Sequence, residues 1–188
     1  MKMAISIILL LLSISFGHTI FADQNLTDIY KNIYIDPGDN KYTLNPSQGI
    51  NFFGRYEKRL EDLAGIQLHL FPDSKFIFTY WCDICREKMI ANGTYTFKNG
   101  KISLKFNYKN KEYKKDLTND SFHVLEGRIE LEGGGVMGFI SILVDEKGLN
   151  RLSKQVDRKQ DYYMDYMIRK TEYYDWQNIY NKLMNDQK

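Results

Sequence analysis

Hydrophobic and polar positions fall into three regimes along the chain. Ala4 to Phe16 is an unbroken apolar and small-residue run behind the basic start Met1-Lys2-Met3, and Gly17-His18 interrupts it before Ile20-Phe21-Ala22. A run of about 13 residues suits the apolar stretch of a secretion signal and falls short of the roughly 18–20 that a spanning helix needs. The pattern predicts cleavage after Ala22, with Gly17 as second choice, and there is no lipid-attachment cysteine near the cut. Residues 23–50 read as a lead-in. Leu26, Ile29, Tyr30 and Ile33 recur at helical spacing, Pro37-Gly38 stops that helix, and 46–49 reads as loop.

From about Gly54 to Val144 the period drops to two. Ile66, Leu68 and Leu70 alternate with Gln67 and His69. Pro72-Asp73-Ser74 supplies turn chemistry before the aromatic, β-branched string Lys75 to Trp81. Gly93 to Phe97 and Lys101 to Phe106 alternate on either side of Asn99-Gly100, a strong two-residue hairpin signal. Further strands are expected at 113–117, 122–125, 128–131 and 139–144, with Gly133-Gly134-Gly135 between the last two. After Gly148 neither Gly nor Pro occurs. A closing strand over 161–170, with Tyr162, Met164, Tyr166 and Ile168 on one face, and a helix over 175–184, with a stripe of Trp176, Ile179, Tyr180 and Leu183, is the expected ending. One long helix from Leu149 onward is the alternative. The expected fold is mainly β: an antiparallel meander of about eight to ten strands closing into a barrel, which removes its exposed edges. Residues 1–22 are then a signal peptide, 23–50 a lead-in helix and loop, and 51–188 a single domain with a C-terminal helix.

Cys82 and Cys85 are the only cysteines. An exported chain meets oxidising conditions, so an even count favours a bridge. Residues three apart on an extended strand are separated by about 10 Å, whereas bridged Cα atoms lie within about 7 Å. Oxidation therefore requires the chain to bend at Asp83-Ile84. The string Trp81-Cys82-Asp83-Ile84-Cys85 looks like the active-site stretch of thioredoxin, but two features of that fold are missing. Only Arg86 to Ala91 precede the Asn92-Gly93 turn, too few for a long helix. Pro37, Pro46 and Pro72 all lie upstream, so no downstream proline can face the sulfurs.

Leu68, Leu70, Asp73, Phe76, Cys82, Cys85, Gly93-Thr94-Tyr95, Ile102 and Leu104 together resemble exported bacterial lipocalin-like β-barrel proteins. Over residues 54–106 the arrangement is similar to the N-terminal barrel domain of the copper-resistance and envelope-stress lipoprotein NlpE, including its Cys-x-x-Cys. The resemblance implies a lipocalin-like barrel. The chain departs from NlpE in lacking the lipidation cysteine.

With Lys2 removed, 25 basic residues face 24 acidic ones. Such a balance argues against a nucleic-acid binder, and no second apolar segment is long enough to span a bilayer. The lysines at 109, 111, 114 and 115 read as a solvated hairpin edge. The cysteine pair is expected to be a structural disulfide. A labile bridge acting as a redox sensor, or a copper or zinc site, is the competing reading. The metal set would draw on Cys82, Cys85, Met89, His69 and His123. No catalytic constellation is legible, and no cofactor is expected. Tyr is abundant, and Trp81, Tyr163, Tyr166, Tyr174 and Trp176 are candidate recognition residues. The expected function is a non-enzymatic binding module of the periplasm or the secreted space, taking a small apolar ligand or an envelope protein as partner. A thiol-based redox or metal sensor is the alternative.

Overall fold

The computed structural model describes residues 28–33, 41–49, 51–61, 63–154, 166–171 and 173–185. Nine strands are present among them: β1 (Tyr42–Pro46), β2 (Gly54–Glu61), β3 (Ala64–Leu70), β4 (Lys75–Cys82), β5 (Cys85–Lys98), β6 (Lys101–Lys109), β7 (Ser121–Leu131), β8 (Val136–Val144) and β9 (Tyr166–Thr171). Two helices follow the meander, α1 (Glu146–Leu152) and α2 (Trp176–Asn185). A helical turn at 28–31 lies within the expected lead-in helix. The strands form one antiparallel sheet in the order β1-β7-β6-β5-β4-β3-β2-β9-β8, and an additional β7–β8 pairing joins its ends. Strands β2 to β9 thus make a closed, ring-like circuit, with β1 paired alongside β7. The expectation of a mainly β meander holds.

Alternation sorts the side chains. Tyr56, Ile66, Leu68, Leu70, Phe76, Phe78, Ile90, Ile102, Phe122, Leu143 and Met167 point into the ring and form its largest core. Two smaller clusters lie outside it. Ile29, Tyr30 and Ile33 of the lead-in and Leu152 of α1 cover Leu44, Leu125, Ile129, Ile140, Ile142 and Val144. Trp176, Ile179, Tyr180, Leu183 and Met184 of α2 cover Phe71, Ile77 and Met89. Two glycines permit close approach of neighbouring groups. A Cβ on Gly93, at the β5 bulge, would sit 2.1 Å from the Lys105 carbonyl oxygen. One on Gly65 would sit 2.7 Å from the indole Nε1 of its cross-strand partner Trp81.

The local chemistry of the turns behaves as the residues require. Asn99 (φ 53°) and Gly100 (φ 71°) both adopt the left-handed conformation that a two-residue hairpin needs. Cys82 and Cys85 are bridged with Cα atoms 5.2 Å apart, and the chain turns at Asp83-Ile84.

Several expectations are corrected. Residues 113–117 are not a strand. The 3-10 turn Lys111–Tyr113 and a loop carry them, and Leu117 plugs the ring interior. β5 starts at Cys85 itself and runs on to Lys98, so the expected Asn92-Gly93 turn is a bulge inside one strand. Segments 122–125 and 128–131 belong to the single strand β7. Strand β1 occupies part of the presumed lead-in loop, on a sheet edge where Pro46 can be accommodated. Helix α1 begins where Asp145 caps it by accepting from the Gly148 N–H at 2.7 Å. The closing strand expected over 161–170 is present as β9 over 166–171, not the alternative long helix, and 155–165 lie outside the described residues.

Candidate functional site

The ring interior is packed over most of its length, and a cavity of about 230 Å3 remains at one end. Ile66, Phe78, Phe122, Leu143 and Met167 line its apolar floor. Its rim comes from the loop 115–119, from Asp145 and from Lys58. Lys58 sits in phase with Tyr56, so the period-two rule turns it inward from β2. Burial holds its ammonium below the usual lysine range, with Asp145 and Asp116 opposing that shift and Arg151 and Lys147 reinforcing it. The Asp145 carboxylate is already engaged, by the Gly148 N–H and by the Asn119 side-chain amide. Loop 110–120 is anchored over this end by buried Leu117, whose carbonyl accepts from Lys109 Nζ at 2.7 Å. The cavity has the ingredients of a small-molecule site: a concave apolar floor and a few converging polar groups at its mouth.

A wider cleft of about 1000 Å3 opens at the opposite end, between the β5–β6 hairpin and the 46–53 connection. Phe52, Phe53, Phe97 and Val124 line it, with the Phe52 and Phe97 ring centroids 4.5 Å apart. Beyond it the β7–β8 hairpin projects with Val136, Met137 and Phe139 exposed.

The third polar feature lies on the outer wall, under the C-terminal segment. His69 is 3% exposed. Its Nε2 lies 3.0 Å from Thr79 Oγ1, and its Nδ1 is hydrogen-bonded to the Tyr173 hydroxyl. The Thr79 hydroxyl donates to Glu87 Oε1 at 2.6 Å. With that proton spent, Nε2–H donates to Thr79 and Nδ1 accepts from Tyr173. Burial pushes the His69 pKa down against the pull of Glu87. The His69 ring, whose Nε2 lies 3.4 Å from Glu87 Oε1, holds the Glu87 carboxyl below its ordinary range, and burial raises the Tyr173 phenol. The His69 ring stacks against Phe71 and Tyr173. His69 and Thr79 are buried and Glu87 is partly open to solvent, which makes the group a polar seam at the edge between wall and cover.

The residues singled out from the sequence are dispersed. Trp81 lies across Gly65 on the outer wall. Tyr166 is buried beneath the outer cluster on β8, Trp176 packs on Phe71, and Tyr174 is 93% exposed. Tyr163 lies outside the described residues. These positions form no common mouth. His123 bonds Glu146 on α1 at 2.9 Å, and Met89 packs under α2. Among the described residues no group of three or more His, Cys, Asp or Glu side chains is placed to hold a metal ion. No helix among them is long and apolar enough to cross a membrane. Lys58 went unnoticed in the sequence, although a lysine in phase with inward Tyr56 was the signal that could have found it.

Compared with family models, curated proteins and solved structures, the chain matches none.

Proposed function

We propose that this chain is an exported, non-enzymatic binding module of the cell envelope, a lipocalin-like barrel that takes a small, largely apolar ligand into the cavity at the Lys58 end. The observation that carries the reading is the unfilled space of about 230 Å3 over Ile66, Phe78, Phe122, Leu143 and Met167, in an interior otherwise closely packed. At about 30 Å3 per water-sized group, it seats roughly seven or eight such groups, so the ligand is small. The hydrogen bonds that join His69, Thr79, Glu87 and Tyr173 to one another on the outer wall, away from both cavities, account for their shifted pKa values without a catalytic role.

The test is native mass spectrometry of the exported protein beside a Leu143→Trp variant that fills the cavity. A small molecule that leaves with the variant while the circular dichroism stays native supports the reading. A molecule retained by the variant, or none on the wild-type protein even after incubation with a small-molecule extract of its own compartment, sinks it. Sequencing the N-terminus of the same sample tests export, with Asp23 as the expected first residue.

A second reading, a thiol-based redox sensor, is favoured by the position of the bridge. It closes an exposed turn, with Ile84 fully exposed and Cys85 exposed beside it. A bridge that resists mild glutathione would remove that reading.

A further inference from the structure

We infer that the ligand of the Lys58 cavity is a small amphipathic anion, a short-chain carboxylate or a comparable acid, with its charged head at Lys58 and its apolar tail on the floor formed by Phe78, Leu143 and Met167. The inference rests on the reading of this cavity as a ligand site and adds the chemistry of the head group.

A half-buried ammonium is costly without a counter-charge. Among the described residues Lys58 makes no ion pair. Asp145, the carboxylate it feels most, is committed to the start of α1 and to Asn119. Among the described residues Asp116 is the other acid lining the cavity, Lys115 lies beside it, and Lys147 acts on Lys58 from α1. Among the described residues Lys58, Lys115 and Lys147 thus stand against two carboxylates, one of which is occupied. An anion entering the cavity would give the Lys58 ammonium the partner that the protein withholds, and partial desolvation strengthens such a pair. Burial depresses the Lys58 pKa, and a bound anion would raise it again. The apolar floor excludes a purely ionic occupant such as inorganic phosphate, which would leave Phe78, Leu143 and Met167 facing a hydrated ion.

The experiment titrates hexanoate, hexanol and hexylammonium into the full protein carrying 13C-methyl methionine. The Met167 methyl on the cavity floor reports occupancy whatever the head group. Hexanoate should bind about tenfold more tightly than hexanol, equivalent to one charge-assisted contact, and hexylammonium should bind least. Replacing Lys58 with Met, which keeps the stem and removes the charge, should bring hexanoate down to the level of hexanol. Hexanol binding as tightly as hexanoate would overturn the anion assignment while leaving the cavity reading intact. If none of the three moves the Met167 signal, the cavity reading itself fails. The wild-type ranking stands as a test even if Lys58→Met perturbs folding.

Discussion

His69 is held at both ring nitrogens and stacks beside both Phe71 and Tyr173, so its protonation state is tied to the packing of the C-terminal segment. Its pKa is lower in the folded protein than in an unfolded chain. The unfolded chain therefore takes up the proton first. The contribution is intact above the unfolded value of about 6.5 and is lost as pH falls from there through the folded pKa. Glu87, also depressed, adds its own loss only in the more acid carboxylate range. Urea midpoints read by Trp176 fluorescence should fall between about pH 7 and about pH 5. His69→Phe, which keeps a ring in the stack, should flatten that slope while lowering the plateau. An unchanged slope in the variant would remove His69 as its cause. Gly93→Ala is the complementary test of backbone approach. A methyl group has no room 2.1 Å from the Lys105 carbonyl oxygen, and the bulged strands must part. We expect a loss of about 2–3 kcal/mol by chemical denaturation. At this scale the turn residues were legible, because Asn99-Gly100 and the cysteine spacing carry their geometry locally. His69 was legible as an outward, strand-phased residue and a candidate metal ligand, not as a member of a buried hydrogen-bonded group. Its cover arrives from Tyr173, 104 positions away, and no local pattern announces that.

Helix α2 carries the clearest periodic stripe in the chain, and the predicted face is the one that meets the wall. The stripe did not say which wall. The partner surface is built from Phe71, just beyond β3, Ile77 on β4 and Met89 on β5, residues that strand alternation alone marks as solvent-facing. Phe71 is fully buried there and in edge contact with Tyr180. Phe71→Ala should cost about 3–5 kcal/mol by urea denaturation, together with earlier proteolytic cleavage near residue 173. A loss below about 1 kcal/mol would mean that α2 contributes little to the fold. The elements misread from sequence share a cause. Strand β1 is short and proline-ended, and its only partner is β7, more than 80 residues on. Residues 113–117 alternate like a strand but find no partner there, because Leu117 is drawn into the ring instead. The bridge across the β4–β5 turn belongs to this scale too. Closing so small a loop restrains the unfolded chain little, so reduction should lower stability by about 2 kcal/mol at most. Hexanoate affinity should not change on reduction if the bridge is structural.

For the whole molecule, the ring closes through unequal seams. The β4–β5 ladder runs from Lys75↔Thr94 to Cys82↔Cys85. Among the described residues the β8–β9 seam holds Ile142↔Ile168, Leu143↔Met167 and Val144↔Tyr166, and β6–β7 holds Lys101↔His123, Ile102↔Phe122 and Ser103↔Ser121. The meander between these seams was readable because each strand pairs with its sequence neighbour. A closing strand was expected over 161–170, but its partners were not readable, because they lie far off on β2 and β8. Short ladders with few cross-strand pairs open at lower free energy than the body of the sheet. The candidate cavity lies beside the weak closure: Leu143 and Met167 are both a cross-strand pair in the β8–β9 seam and part of the cavity floor. A ligand seated there favours only the closed ring, and it stabilises that state by mass action, about 2.7 kcal/mol at a free concentration of 100 times Kd. Amide hydrogen exchange should show the difference in place. Without ligand, amides of β9 should exchange ahead of those of β4 and β5. Saturating hexanoate should slow β9 and the end of β8 by about the mass-action factor, roughly 100-fold, and leave the disulfide-bearing hairpin almost unaffected. Equal slowing over every strand would mean that β9 opens only with global unfolding. No slowing at saturation would mean that the ligand binds away from the seam and that the cavity floor is not its site.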